Sequence, residues 1–178
     1  MEFVCKDKSA TVRAANVKST LDAFKLLPAA GIRLIERFHL KLDDLRPDNF
    51  VPVQSWLDAL HELSRSGNAS ILRTVGSAII ENADFPPTFQ SVEDVLLALD
   101  AIYHMNHKGD VGHYRVSQLD DGSVEIRCET PYPRQFERGL VEGIARHKRL
   151  TKGASYGVEY ADGPQGADHT CTLRVRKK

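Results

Sequence analysis

The feature that most constrains the fold is a β-hairpin signal in the last third of the chain. An Asp-Asp-Gly turn at residues 120–122 lies between two strand-like runs, residues 113–119 and 123–129. An Asp-Gly pair between alternating runs is one of the strongest local signals for a hairpin. The second run alternates apolar with charged residues, so we expect it to bury one face and to expose the other.

The residues after this hairpin predict a helix and a second pair of strands. Apolar residues recur at helical spacing across residues 136–145, and we expect Glu137 and Glu142 largely on the opposite, solvated face. Two further strand-like runs follow, and the last of them ends at Val175. The resulting ββαββ order over residues 109–178 predicts an antiparallel sheet with one face packed on helices.

The first part of the chain, residues 1–108, is predicted to be mainly helical. Its apolar residues recur at intervals of three and four, and prolines break the pattern within residues 47–52 and 84–88. No internal repeat or flexible linker divides the sequence, so we predict one ligand-binding domain over residues 1–178. A helical part followed by strands indicates the α+β fold class.

The composition argues against several classes of protein. Lys plus Arg and Asp plus Glu each number 24, whereas a nucleic-acid-binding protein needs a basic surface. No apolar run reaches the ~20 residues of a membrane span, and the N-terminus lacks the apolar core of a signal peptide. The cysteines are widely spaced and form neither a disulfide framework nor a C-x-x-C metal motif. We therefore predict a cytoplasmic protein that binds no nucleic acid and spans no membrane.

The C-terminal part resembles a superfamily of ligand-binding domains. Residues 136–145, followed by Glu159, Gly166, Asp168 and Cys171, are similar to the end of the 4-vinyl-reductase-type domains. Those domains share an architecture with heme–nitric-oxide-binding (H-NOX) domains and with subunits of the TRAPP vesicle-tethering complex. The resemblance covers the last third of the chain. It implies a sensor or carrier module that holds a small hydrophobic, tetrapyrrole-related or aromatic ligand between the helices and the sheet.

Two motifs of these relatives differ in this sequence. A cysteine commonly follows the strand glutamate in the vinyl-reductase type, whereas Tyr160 and Ala161 follow Glu159 here. H-NOX domains clamp the heme propionates with a Tyr-x-Ser-x-Arg cluster. The corresponding stretch is residues 132–136, which holds Tyr and Arg but neither the Ser nor the spacing. The sequence is therefore compatible with heme and leaves the cofactor open.

Three histidines are candidate ligand-binding residues. His104 and His107 stand three positions apart at the end of a predicted helix, and His113 follows shortly after. Such a pair shares one face of a helix and could ligate heme iron or another metal. The same placement is also favoured by the helix dipole without any function.

Further candidates lie in the C-terminal part. Arg134 and Arg138 at a helix start could bind a carboxylate or a phosphate. Tyr132, in the stretch that corresponds to the H-NOX cluster, is a further candidate ligand-binding residue that the resemblance implies. The alternative is that these arginines pair with glutamates on a solvated face. His169 and Cys171 share one face of a predicted strand and are the best local metal pair, although a structural zinc usually takes four ligands.

The sequence contains no Ser-His-Asp order, P-loop or glycine-rich nucleotide motif. Our first hypothesis is therefore a non-catalytic sensor or carrier of a small apolar or amphipathic ligand. The alternatives are a heme-based gas sensor, an enzyme acting on a tetrapyrrole or aromatic substrate, and a scaffold subunit. The expected partner is a small hydrophobic ligand, and the sequence is compatible with a homodimer.

Overall fold

The computed structural model describes residues 2–24, 28–65, 69–81, 83, 85–161 and 171–178. Within these residues the helices are α1 (Ala14–Asp22), α2 (Pro28–Arg37), α3 (Val53–Arg65), α4 (Ala69–Glu81), α5 (Val92–Leu97), α6 (Leu99–Asn106), α7 (Arg134–Arg146) and α8 (Lys148–Thr151). The strands are β1 (Thr11–Arg13), β2 (Phe50–Pro52), β3 (His107–Lys108), β4 (His113–Gln118), β5 (Val124–Glu129), β6 (Tyr156–Tyr160) and β7 (Cys171–Lys177). No helix among these has both the length and the apolar character that crossing a membrane requires.

The larger sheet is antiparallel and has the strand order β4-β5-β7-β6. Strands β4 and β5 form the predicted hairpin, and Gly122 at its turn has a φ of 78°, a conformation that costs glycine little. Ile126 of β5 pairs with Val116 of β4 and with Leu173 of β7. Ile126 and Leu173 are both fully buried, so the middle strands contribute their apolar face to the core. Helices combined with this antiparallel sheet confirm the predicted α+β fold class.

A second, smaller sheet was not predicted. It joins β2, β1 and β3 in antiparallel order, with Val12 opposite both Val51 and His107. Its strands are two or three residues long, which is too short for an alternating pattern to be visible in a sequence. The sheet matters for the site because it brings Arg13, at the end of β1, into the same region as His107.

Helices α4 and α7 approach each other so closely that their backbones touch. A side chain at Gly76 would collide with the carbonyl oxygen of Phe136, and one at Gly139 would collide with the backbone of Arg73. The Arg73 guanidinium forms an ion pair with Glu142 across the same contact. The small residues therefore set the distance between two helices that both line the site described below.

The sequence-based expectation that Glu137 and Glu142 face solvent is wrong. Their relative exposures are 0% and 5%. Helix α7 contacts helix α4 as well as strands β6 and β7, so it is covered from more than one direction and lacks a single wet face. Each carboxylate has partners inside the protein. The hydroxyl groups of Tyr114 and Thr130 donate to Glu137, whereas Arg73 and Arg138 donate to Glu142.

Candidate functional site

A cavity of about 600 Å³ is lined by residues of helices α1, α3, α4, α6 and α7 and of strand β4. Its volume lies within the range of small-molecule sites in proteins. Most of its wall is apolar, and much of that wall is aromatic. The aromatic lining residues are Trp56, Phe85, Phe89, Tyr103, Tyr114, Tyr132 and Phe136.

Three of these rings form a packed wall. Tyr132 stacks on Phe136 with ring centroids 4.9 Å apart, and Trp56 meets both rings edge-on at 5.2 and 5.5 Å. The indole Nε1 of Trp56 donates a hydrogen bond to Thr20 Oγ1 at 3.0 Å. Edge-to-face and offset contacts of this kind hold rings in fixed orientations. These contacts therefore fix the shape of this part of the cavity wall.

His107 is the histidine among the described residues that line the cavity. Its Nδ1 lies 2.8 Å from the Tyr103 carbonyl oxygen, which can only accept, so Nδ1 carries the proton. Its Nε2 therefore lacks a proton and accepts a hydrogen bond from the Tyr132 hydroxyl group, whose oxygen lies 2.7 Å away. Burial lowers the pKa of His107 to about 4, so the ring is neutral near pH 7. Both ring nitrogens are thus occupied by protein groups.

Two further phenols of the wall are also paired within the protein. The Tyr103 hydroxyl donates to the Val111 carbonyl oxygen at 2.8 Å, and the Tyr114 hydroxyl donates to Glu137 Oε2 at 2.6 Å. Burial raises the pKa of Glu137 to about 7 and raises the pKa of both tyrosines well above the usual value. The two phenols are therefore neutral hydrogen-bond donors, and neither is a phenolate near neutral pH.

Arg13 is the permanently charged residue in the described lining. It ends strand β1 and immediately precedes helix α1, so the small sheet fixes its backbone. Its guanidinium lies 5.6 Å from the centroid of the Phe50 ring and 3.7 Å from the Asp48 carboxylate. The Arg13 side chain is 38% exposed and that of Asp48 is 99% exposed. The cavity thus joins an aromatic interior to one partly exposed cation.

The structure brings two of the six predicted ligand-binding residues to the cavity, Tyr132 and His107. His104 is exposed, and its Nδ1 contacts the Asp100 carbonyl oxygen at 2.9 Å. His113 Nε2 lies 2.7 Å from a carboxylate oxygen of Glu129 on the larger sheet. The prediction that His104 and His107 share a helix face is wrong, because helix α6 ends at Asn106 and His107 has an extended backbone.

Arg134 and Arg138 lie outside the described lining of the cavity. Their guanidinium groups lie over the ring of Tyr160, 4.2 and 5.1 Å from its centroid. Arg138 also donates to Glu142 at 3.0 Å. The alternative in which these arginines pair with a glutamate is therefore the one observed for Arg138, although that glutamate is buried.

The predicted metal pair stays a prediction. His169 lies outside the described residues. Cys171 is buried opposite Cys128 in the sheet register, and neither of these two described cysteines forms a disulfide bond. Across the part of the chain that the structure describes, no group of three or more His, Cys, Asp or Glu side chains could hold a metal ion.

Arg13, Trp56 and Tyr114 were not predicted to line a site. The sequence offers little signal for Arg13, because nothing near it distinguishes it from the other arginines. Trp56 and the tyrosines follow the apolar spacing of ordinary core residues. A cavity arises where such residues meet without filling the space between them, which depends on tertiary packing alone.

Comparison with solved structures places the fold among H-NOX domains. An H-NOX protein from S. oneidensis, a triple variant in the Fe(II) ligation state, matches with a TM-score of 0.70 and 15% identity over 93% of this chain and 96% of that one. A variant of the T. tengcongensis H-NOX matches with a TM-score of 0.69 and 14% identity over 93% and 97%. An oxygen-binding H-NOX domain related to soluble guanylate cyclases, in its oxygen complex, matches with a TM-score of 0.65 and 15% identity over 92% of each chain.

These likenesses extend over nearly the whole chain and show that it has the H-NOX fold. No family model and no curated protein matches the sequence. The likeness to the vinyl-reductase type and to TRAPP subunits stays a prediction from the sequence.

Proposed function

We propose that this chain is a sensor domain that binds a small molecule in the aromatic cavity. The observation that supports the proposal most directly is an aromatic-lined cavity of about 600 Å³ within a fold shared with H-NOX domains. Polar groups of its wall form buried hydrogen bonds, His107 with Tyr132 and Tyr114 with Glu137 behind it. Such an arrangement fixes the shape of a binding site, which supports recognition as its task.

A heme-based gas sensor is the specific version of this proposal that the comparisons favour. The S. oneidensis neighbour is described in its Fe(II) state and another neighbour in an oxygen complex. The comparisons therefore support the heme alternative better than the more general carrier that the sequence suggests first. At 14 to 15% sequence identity the comparisons show the fold alone, so the identity of the ligand has to be judged from the residues of this chain.

A histidine-ligated heme requires an imidazole nitrogen that is free to bind iron. The Nδ1 bond of His107 to a backbone carbonyl is typical of metal-ligating histidines. Its Nε2, however, already accepts a hydrogen bond from the Tyr132 hydroxyl group, so its lone pair is engaged. His104 and His113 do not line the cavity. The residues as arranged here therefore do not fit a histidine-ligated heme unless the Tyr132 hydroxyl leaves Nε2.

Titration with hemin, followed by absorbance, separates the two versions. A heme sensor predicts a shifted Soret band in the wild type that is lost in His107→Ala and strengthened in Tyr132→Phe, where Nε2 is free. A sensor of another ligand predicts no specific Soret band for the wild type. Native mass spectrometry of the purified protein and thermal shifts with a panel of hydrophobic compounds then test the general proposal. It is refuted if hemin, co-purified molecules and the panel all fail to bind.

The predicted cytoplasmic location and the homodimer belong to the same proposal. Three buried cysteines that form no disulfide bond support a reducing compartment. A sensor passes on its signal through a change of shape or of contacts between subunits, and two copies of this chain would suffice. Light scattering with and without ligand measures whether two copies associate and whether the ligand changes their association.

A further inference from the structure

We infer that the cavity binds a metal-free organic acid whose apolar body lies among the aromatic rings and whose acidic group pairs with Arg13. The inference rests on the proposed function, because it takes the cavity to be the binding site. It goes further by naming the chemical class of the ligand.

The hydrogen bonds of the cavity wall indicate that the ligand contains no metal. His107 uses both ring nitrogens within the protein, at 2.8 and 2.7 Å. The phenols of Tyr103 and Tyr114 donate to Val111 and Glu137. A metal bound by His107 would have to break the hydrogen bond between Nε2 and Tyr132, which leaves the buried Tyr132 hydroxyl group without its partner. A ligand that binds through its apolar surface leaves all of these hydrogen bonds intact.

The charges of the residues that line the cavity indicate that the ligand carries an acidic group. Arg13 carries a permanent positive charge, and the described lining residues include no Asp or Glu. Its ion pair with Asp48 is long, at 3.7 Å, and Asp48 is 99% exposed, so water screens most of the attraction. A neutral ligand would remove water from Arg13 without offering a partner. A carboxylate can accept charge-assisted hydrogen bonds from the guanidinium instead.

The size of the apolar body follows from the cavity. A volume of about 600 Å³ suits a drug-sized molecule. Flat rings line the wall on the side of Trp56 and Phe136, while aliphatic residues such as Leu99 and Ile102 line other parts. Both a fused aromatic ring system and a medium-length acyl chain therefore match the surface, and the experiment includes one probe of each kind.

The test compares acids with alcohols of the same shape. Anthracene carboxylate is paired with anthracene methanol, and dodecanoate is paired with dodecanol. Binding is measured by calorimetry and by the fluorescence of Trp56, which is the one tryptophan of the chain and lines the cavity. We expect at least one acid to bind about tenfold more tightly than its alcohol, a difference of about 1.4 kcal/mol.

Three variants test which residues cause the preference for the acid over the alcohol. Arg13→Gln should reduce the affinity for the acid to that for the alcohol. Arg37→Gln removes the same charge from an exposed ion pair with Glu62 outside the described lining, and it should leave the preference unchanged. Ala15→Phe places a ring in the cavity and should weaken acid and alcohol alike.

Equal binding of acid and alcohol, or a preference that survives Arg13→Gln, overturns the inference while leaving the proposed function in place. Failure of all four probes also overturns it. The hemin titration and native mass spectrometry then decide separately whether the cavity binds anything at all. A specific Soret band in the wild type overturns the metal-free part, whatever the probes do.

Discussion

The Tyr132 hydroxyl oxygen lies 2.7 Å from Nε2 of His107, and both residues are buried in the wall of the cavity. His107 directs its other nitrogen to the carbonyl oxygen of Tyr103, 2.8 Å away. The bond therefore joins the segment before helix α7 to the end of helix α6. It also leaves the imidazole ring with no free nitrogen to offer to the cavity. This contact occupies Nε2 of His107, the imidazole nitrogen that a metal would otherwise bind.

Tyr132→Phe should lower the free energy of unfolding by about 1–3 kcal/mol, because the buried Nε2 of His107 loses its donor. Urea unfolding monitored by circular dichroism measures the change. Tyr156→Phe is the matched control, since its hydroxyl contacts Glu93 at 3.2 Å on a partly exposed strand. A loss for Tyr132→Phe no larger than that of the control would show that the His107 bond is unimportant.

Glu137 should make the protein less stable as the pH rises. Burial raises its pKa to about 7 in the folded state, above the usual value of 4.5. Its stabilising contribution is therefore complete below the unfolded pKa and is lost as the pH rises through the folded pKa. Between about pH 5 and about pH 8, the wild type should lose about 2 kcal/mol relative to Glu137→Gln.

Urea unfolding of both proteins across this pH window gives the difference directly. Glutamine keeps an acceptor and a donor for the hydroxyl groups of Thr130 and Tyr114, so the variant preserves the packing. Parallel pH curves for the two proteins would mean that Glu137 is ionised in the folded state throughout the window.

Local signals explain why much of the fold could be predicted. The Asp-Gly pair at residues 121–122 and the alternation of strand β5 act over a few residues, and the structure has the hairpin where they place it. The helical spacing of residues 136–145 likewise corresponds to helix α7. These patterns are written into neighbouring residues, so no knowledge of distant parts of the chain is needed.

The site was harder to predict because tertiary contacts build it. Val12 pairs with His107 although the two are far apart in sequence, and this pairing positions Arg13. Glu137 looks like a surface residue by periodicity, yet contacts with helix α4 and the sheet enclose its helix. Tyr132 was identified from the resemblance alone. Local hydrophobic spacing cannot reveal strands of two or three residues. It also cannot reveal that a helix is buried on a second side.

Gly139→Ala should destabilise the protein by about 1–3 kcal/mol, although alanine is the better helix former. The added Cβ would collide with the backbone of Arg73, which cannot move without shifting helix α4. Gly157→Ala is the control, because its Cβ would meet the flexible end of the Lys178 side chain at 3.2 Å. Thermal and urea unfolding measure both variants. Equal stability of Gly139→Ala and the wild type would show that the two helices can separate at little cost.

His107 should make the protein less stable in mild acid. Burial lowers its pKa to about 4 in the folded state, below the usual value of 6.5. The unfolded chain therefore binds a proton first as the pH falls. The contribution of the neutral ring is complete above the unfolded pKa and is lost as the pH falls toward the folded pKa.

His107→Gln isolates this effect, since glutamine can still donate to the Tyr103 carbonyl and accept from Tyr132. From about pH 7.5 to about pH 5, the wild type should lose about 2 kcal/mol more stability than the variant. Glu137 titrates in both proteins and cancels in the comparison. The reverse ordering, with the variant losing more stability in acid, would mean that the folded protein holds His107 as a cation, and the Tyr132 hydroxyl could then not be its hydrogen-bond donor.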